Sequence, residues 1–257
     1  MTLSGTARRA AAALLAAVLV VPLAACGGAR DDGRTRLTVL AAASLTDAFA
    51  EVGAAYGDAH RDTAVAFSFA GSQEVAAQVR HGAPADVAAT ADTATMDALA
   101  RETQEPVVFA HNHLVIATAK GNPERVRGLA DLARPGLRVV LAAPEVPVGR
   151  YGARALAEAG VTVRPVSQEP SVRAVLSKVE LGEADAGVVY ATDAAGAADA
   201  VDAVALPRER DVVARYPAAA LTGSEHPREA REFVAWLSGP QAQRILRDAG
   251  FAPPEAD

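Results

Sequence analysis

Leu37-Thr38-Val39-Leu40-Ala41-Ala42-Ala43-Ser44-Leu45-Thr46-Asp47-Ala48 is the stretch that decides the fold class. An apolar run reads as a strand, three alanines make a corner with nothing large enough to block approach to the backbone, and Ser44 with Asp47 opens a helix. Phe67-Ser68-Phe69-Ala70-Gly71-Ser72-Gln73-Glu74 repeats the pattern, with Gly71 allowing the turn and Ser72 starting the helix. Gln168-Glu169-Pro170-Ser171-Val172 opens a third.

Outward from these corners the same alternation runs through most of the chain and predicts an α/β architecture with largely parallel sheet. Strands are expected at 37–41, 63–69, 86–89, 113–119, 137–141, 161–165, 186–190 and 200–206. Helices are expected at 46–56, 73–80, 93–101, 123–132, 149–159 and 172–181. Val172, Val175, Leu176 and Val179 form one buried stripe. Two further stripes, Ala230-Phe233-Val234-Leu237 and Ala242-Ile245-Leu246-Ala249, are separated by Gly239-Pro240. Two segments, 109–119 and 212–221, lack helical periodicity and are long enough to run between two lobes. The expected division is 36–113 with 220–257 as lobe 1 and 114–219 as lobe 2, with a ligand held in the cleft between them.

Composition narrows the function classes. The chain has 257 residues, 51% hydrophobic and 22% charged, which is too apolar for a disordered chain. About a quarter is alanine. The net charge of −6 disfavours nucleic acid as a partner. One cysteine, Cys26, removes disulfide frameworks and cysteine-rich zinc sites.

Residues 1–25 carry Arg8 and Arg9, no acid, and an apolar run from Ala10 to Val21, the layout of an export signal. That run is shorter than the roughly 20 residues a membrane-spanning helix needs. Leu23-Ala24-Ala25-Cys26-Gly27 resembles the lipobox of bacterial lipoproteins. The expectation is a lipoprotein signal over 1–25, lipidation at Cys26, a flexible tether over 26–35, and a receptor held at the outer face of the cell membrane. An ordinary signal cut near Ala25 is the competing reading. Removal of residues 1–25 leaves 23 basic and 31 acidic residues, a net −8.

The three corners supply the chemistry. Helix starts carry unpaired N–H groups and the positive end of the helix dipole, so several aimed at one point make an anion site without a buried cation. Each serine taken alone is an ordinary cap. Three such corners favour a site without naming its ligand.

Six segments carry a family resemblance: Ala41–Ala48, Phe69–Ser72, Gly82–Val87, Pro147–Gly152, Gly187–Ala194 and Gly239–Ala242. In this order they resemble the molybdate-binding proteins of ABC transporters, from about Leu37 to Phe251. The resemblance implies a two-lobed type II periplasmic-binding-protein fold that holds molybdate or tungstate in its cleft and delivers it to a permease, as a monomer with no cofactor. It also implies a ligand set. Ser44 and Ser72 give hydroxyl and backbone donors, Val148 and Val172 give backbone N–H groups, and Tyr190 gives a phenol, with no side chain ligating a metal cation directly. Two positions depart from the pattern. Gly71 stands where a serine run is common, at the expense of one auxiliary hydroxyl, and Val148 replaces an alanine that acts through its backbone.

Other readings remain open at this stage. Sulfate, phosphate and ferric-ion receptors share the fold, although Tyr56, Tyr151, Tyr190 and Tyr216 show no pairing suited to iron. A hydrolase is disfavoured, because there is no Gly-x-Ser-x-Gly elbow, phosphate-binding glycine loop or His-Glu-x-x-His. His111 and His113 share a strand face but lack a third ligand. Asp86 reads as a group that fixes a corner.

Overall fold

A computed structural model describes residues 33–207 and 212–254. The expected export signal, Cys26 and most of the expected tether lie outside the described residues. From Arg34 onward the chain forms one compact unit built on two five-stranded sheets.

The first sheet contains β1 (Thr35–Ala42), β2 (Thr63–Ala70), β3 (Val87–Ala89), β4 (Val107–Asn112) and β10 (Ala214–Ala220), in the order β2-β1-β3-β10-β4. β1 runs parallel to β2 and β3, whereas β10 is antiparallel to β3 and β4. The second contains β5 (Leu114–Ala119), β6 (Val139–Ala142), β7 (Ser167–Glu169), β8 (Ala186–Tyr190) and β9 (Val201–Ala205), in the order β7-β6-β8-β5-β9. Here β6 is parallel to β7 and β8, and β5 is antiparallel to β8 and β9. Each sheet is therefore mixed: one strand, β10 in the first and β5 in the second, runs against the other four.

Helices follow the parallel strands: α1 (Thr46–Ala59), α2 (Ser72–Arg80), α3 (Thr93–Asp97), α4 (Pro147–Glu158), α5 (Val172–Glu180) and α6 (Ala191–Gly196). The chain closes with α7 (Pro227–Leu237) and α8 (Pro240–Asp248). The alanine content has a structural use in the first sheet. Val87 and Ala89 face one hydrophobic cluster and Ala88 another, and Ala218, Ala219 and Ala220 alternate in the same way. Period-two alternation of small side chains lets helices cover both faces. On α1, Ala48, Phe49, Val52 and Tyr56 are buried; burying a side chain the size of Phe49 contributes about 1.5–3 kcal/mol.

Four expectations change. The segment 123–132 is not a helix: Asn122 and Arg125 have positive φ (44° and 51°), and only a short 3-10 turn, Leu129–Ala133, forms. The strand expected at 161–165 is replaced by β7 two residues later, because Ser167–Glu169 supplies the residues that pair with β6; Pro165 has no N–H to give a ladder. The helix expected over 93–101 ends at Asp97. The fourth is a lobe boundary: β10 pairs in the first sheet, although 214–219 falls inside the expected boundaries of lobe 2. The extended segment 109–119 does pass from one sheet to the other, as β4 and β5 divided at His113.

Asp86 fixes a corner as read: its carboxylate accepts from the Thr38 N–H at 2.7 Å and the Ser224 hydroxyl at 2.6 Å. His111 lies in β4 and His113 at the break between β4 and β5, and among the described residues no group of three His, Cys, Asp or Glu could hold a metal ion. No described helix is long and apolar enough to cross a membrane.

Candidate functional site

The corners of both sheets meet around one small cavity. Its lining comprises Ala42, Ala43 and Ser44 at the end of β1, Gly71 and Ser72 at the start of α2, and Ala91 after β3. The second lobe adds Val146, Pro147 and Val148 at the start of α4, Ser171 and Val172 at the start of α5, and Tyr190 at the end of β8. All five residues expected to bind ligand, Ser44, Ser72, Val148, Val172 and Tyr190, are therefore brought together, joined by Ser171. The space open to the centre of a water-sized sphere is about 10 Å³, the scale of a single water. In this closed arrangement it has no room for a sugar, amino acid or peptide.

Local structure explains the donors. Val172 is the first residue of α5 and Val148 the second of α4, after a proline that needs no N–H there. Their amides have no carbonyl one turn back to bond. Gly149 is required behind them: a Cβ there would stand 2.1 Å from the Ala143 carbonyl oxygen. Ser72 opens α2, and its hydroxyl oxygen accepts from the Ala91 N–H at 3.0 Å. Ser171 caps α5 by accepting from the Ala174 N–H at 3.2 Å. In both serines the oxygen is engaged by a backbone donor, which leaves the hydroxyl proton to be given elsewhere.

Ser44 and Tyr190 are held differently. The Ser44 Oγ lies 2.9 Å from the Tyr216 phenol oxygen, and Tyr216 is fully buried on β10. The Tyr190 ring meets that of Tyr216 edge-on, with centroids 5.7 Å apart. The Tyr190 hydroxyl is buried and has no hydrogen-bond partner among the described residues, so it is a polar group awaiting one. Burial, followed by the neighbouring Tyr216 and Tyr151, pushes the Tyr190 hydroxyl well above its ordinary pKa, and burial does the same for Tyr216. Both phenols are neutral donors. Sequence reading finds no tyrosine pair; the fold makes one from Tyr190 and Tyr216. The available signal was Tyr216-Pro217 inside a strand, where the β4–β10 register shifts and a bulge can re-aim a side chain.

No charged side chain lines the cavity. Charges lie one layer out and join the two lobes. Arg150 of α4 pairs with Asp92, the cap of α3, and donates to the Thr95 hydroxyl at 2.8 Å. Arg173 of α5 pairs with Asp47 of α1 and lies 2.9 Å from Asp193 of α6. Asp193 is fully buried; burial raises its pKa to about 7, against the lowering effects of Arg173 and of a hydrogen bond from the Tyr190 backbone. Gln73 donates from α2 to the Pro170 carbonyl at 2.8 Å. Gly71 now has a structural reason, since a Cβ there would sit 2.5 Å from that carbonyl oxygen.

Known proteins resemble the chain over this whole framework. Residues 37–252 match the model of a bacterial extracellular solute-binding protein family. The molybdate-binding protein ModA of Mycobacterium tuberculosis is 42% identical over 252 residues, covering 94% of this chain and 97% of the relative. A putative ABC transporter substrate-binding lipoprotein of Bacillus subtilis is 29% identical, covering 93% and 95%. Among solved structures, the periplasmic molybdate-binding protein of Azotobacter vinelandii superposes with a TM-score of 0.76 at 24% identity, covering 85% of this chain and 100% of that one. The two-sheet α/β arrangement is thus the type II periplasmic-binding-protein fold.

Proposed function

The chain belongs to the bacterial extracellular solute-binding protein family, and on that footing we propose that it captures molybdate, or the similarly sized tungstate, and delivers it to an ABC permease. The cavity lining carries the reading. Helix-start amides, three serine hydroxyls and an unpartnered phenol converge on one small closed cavity, with no carboxylate or imidazole acceptor and no formal charge in its lining. Neutral donors can satisfy the oxygens of a dianion, each charge-assisted bond contributing roughly 1.5–3 kcal/mol. Phosphate near neutral pH retains a proton that such a lining receives poorly. The net acidity of the protein does not oppose the site, because local dipoles govern a cavity while the mean field acts on encounter.

The competing readings lose ground on particular residues. Ser44 meets the phenol of Tyr216 rather than a base that could activate it, which argues against a hydrolase. Ferric ion prefers phenolates, and burial holds Tyr190 and Tyr216 protonated. A thermal-shift and calorimetric panel of molybdate, tungstate, sulfate, phosphate and ferric ion tests the proposal. Large shifts with the first two alone are expected; the absence of a shift with any oxyanion would overturn it.

We further propose that Cys26 anchors the receptor at the outer face of the cell membrane. The lipobox-like Leu23–Gly27 supports this, as does the lipoprotein name of the Bacillus relative. Cys26→Ser should move the protein from the membrane fraction to the medium or periplasm; an unchanged distribution would remove the anchor.

A further inference from the structure

Ser171 precedes Val172 at the start of α5 and lines the cavity together with the five residues expected to bind ligand. Its hydroxyl oxygen accepts from the Ala174 N–H and its carbonyl from the Val175 N–H, each at 3.2 Å. The backbone, at φ −155° and ψ 163°, is that of an ordinary helix cap. Among the described residues no acceptor takes the Ser171 hydroxyl proton. Its oxygen faces a backbone donor, so the proton turns away from that contact. A second group in the same lining is also unspent: the Tyr190 hydroxyl is fully buried and has no partner among the described residues. Two donors of the second lobe thus border one cavity that offers them nothing to bond.

The opposing wall explains why a side chain stands here. The carbonyl of Pro170, the residue before Ser171, lies 2.5 Å from where a Cβ on Gly71 would be. Gln73 donates to the same carbonyl at 2.8 Å. Position 71 therefore has no room for a side chain while the lobes are together, and the first lobe presents only backbone at that point. Ser171, next in the chain, brings a hydroxyl from the second lobe.

We propose that Ser171 is a sixth ligand-binding residue, donating its hydroxyl proton to an oxygen of the bound oxyanion while its own oxygen caps α5. The inference rests on the oxyanion reading of the cavity and adds a direct contact to the five implied by the family resemblance. The cap strengthens the contact: a hydroxyl whose oxygen already accepts is the better donor, because hydrogen bonds in a chain polarise one another. Ser72 is built the same way, with its oxygen engaged by the Ala91 N–H. With Ser171 included, each lobe sets two lining hydroxyls around the cavity, Ser44 and Ser72 from the first and Ser171 and Tyr190 from the second. A tetrahedral ion has four oxygens to meet them.

The test titrates molybdate by calorimetry into wild type and two variants, with thermal melting of each ligand-free protein alongside. Glycine is a tolerated cap without a hydroxyl, so Ser171→Gly should melt close to wild type yet bind molybdate about tenfold or more weakly. Aspartate caps a helix as well as serine does but has no proton to give and carries a negative charge. Ser171→Asp should therefore melt at or above the wild-type temperature and lose measurable molybdate binding. Molybdate affinity within about twofold of wild type in Ser171→Gly, or retained in Ser171→Asp, would mark Ser171 as a cap only and overturn the proposal. A crystal structure of the wild-type complex with molybdate reads the contact without a variant. The Ser171 Oγ should lie within about 3.0 Å of a molybdate oxygen, and a separation beyond about 3.5 Å would also overturn the proposal. Wild-type protein that binds neither molybdate nor tungstate defeats the underlying reading, whereas molybdate binding that Ser171→Gly leaves intact defeats this inference alone.

Discussion

Ser44, Ser72, Val148, Val172 and Tyr190 meet around the cavity with no formal charge among them, whereas the layer outside joins Arg150 to Asp92 and Arg173 to Asp47 and Asp193. Both layers bridge the two lobes, yet they are suited to different work. Fixed dipoles at the centre can match the oxygens of an anion and register its size and proton count. Ion pairs further out are less discriminating and oppose opening. A cation at the centre would bind many anions; an apolar outer layer would close without electrostatic steering. The separation teaches that selectivity and closure need not come from the same contacts.

The largest break in that separation is to place a charge at the centre. Ser72→Asp should abolish measurable oxyanion binding, since like charges brought together cost several kcal/mol; calorimetric titration reads this, and retained binding would remove Ser72 from the site. Next comes the loss of one neutral donor. Tyr190→Phe should weaken molybdate by roughly 1.5–3 kcal/mol while leaving the melting temperature unchanged or raised, because its hydroxyl has no partner among the described residues to lose. Ser72→Ala should weaken binding by roughly 1–3 kcal/mol and also cost some stability by leaving the Ala91 N–H unpaired. A matching fall in stability for both would show that the two hydroxyls are structural alike.

The outer layer should respond more weakly and differently. Asp47→Asn keeps some hydrogen-bonding capacity but loses the exposed pair to Arg173, which is worth about 0.2–1 kcal/mol. Its affinity deficit should shrink as salt is raised, in contrast to Tyr190→Phe, whose deficit should persist. A further test is a pH signature. The Asp193 pKa is raised from 3.8 to about 7 in the folded protein. Between those values the native state holds a proton that the unfolded chain releases, so this group's contribution to stability falls as pH rises through the window. The melting difference between wild type and Asp193→Asn should therefore change between pH 4 and about 7 and flatten above it; a constant difference would show that Asp193 does not titrate there.

Much of the centre was legible in the sequence because a strand-to-helix corner is a local object. Ala42-Ala43-Ser44 and Gly71-Ser72 carry in a few residues both the backbone shape and the donor. The outer layer and the residues behind the serines were not legible, because they are made by distant partners. Tyr216 and Ser44 are 172 positions apart, and Arg173 and Asp47 are 126 apart. The motif Pro147–Gly152 placed Arg150 beside the site, but nothing local links it to Asp92. The false helix at 123–132 shows the opposite limit: its composition is helix-tolerant, and the left-handed backbone at Asn122 and Arg125 overrides it.

Gly71 carries one last implication. Where a side chain would stand, it presents only hydrogen to the Pro170 carbonyl of the opposing lobe, and Gln73 ties the same carbonyl in place. At this point the two lobes meet backbone against backbone, a contact with almost no elastic give. Such a stop works as a gauge block: it sets how far apart the two halves can rest, so an occupant that is too wide must hold the jaws ajar and forfeit the Gln73 tie.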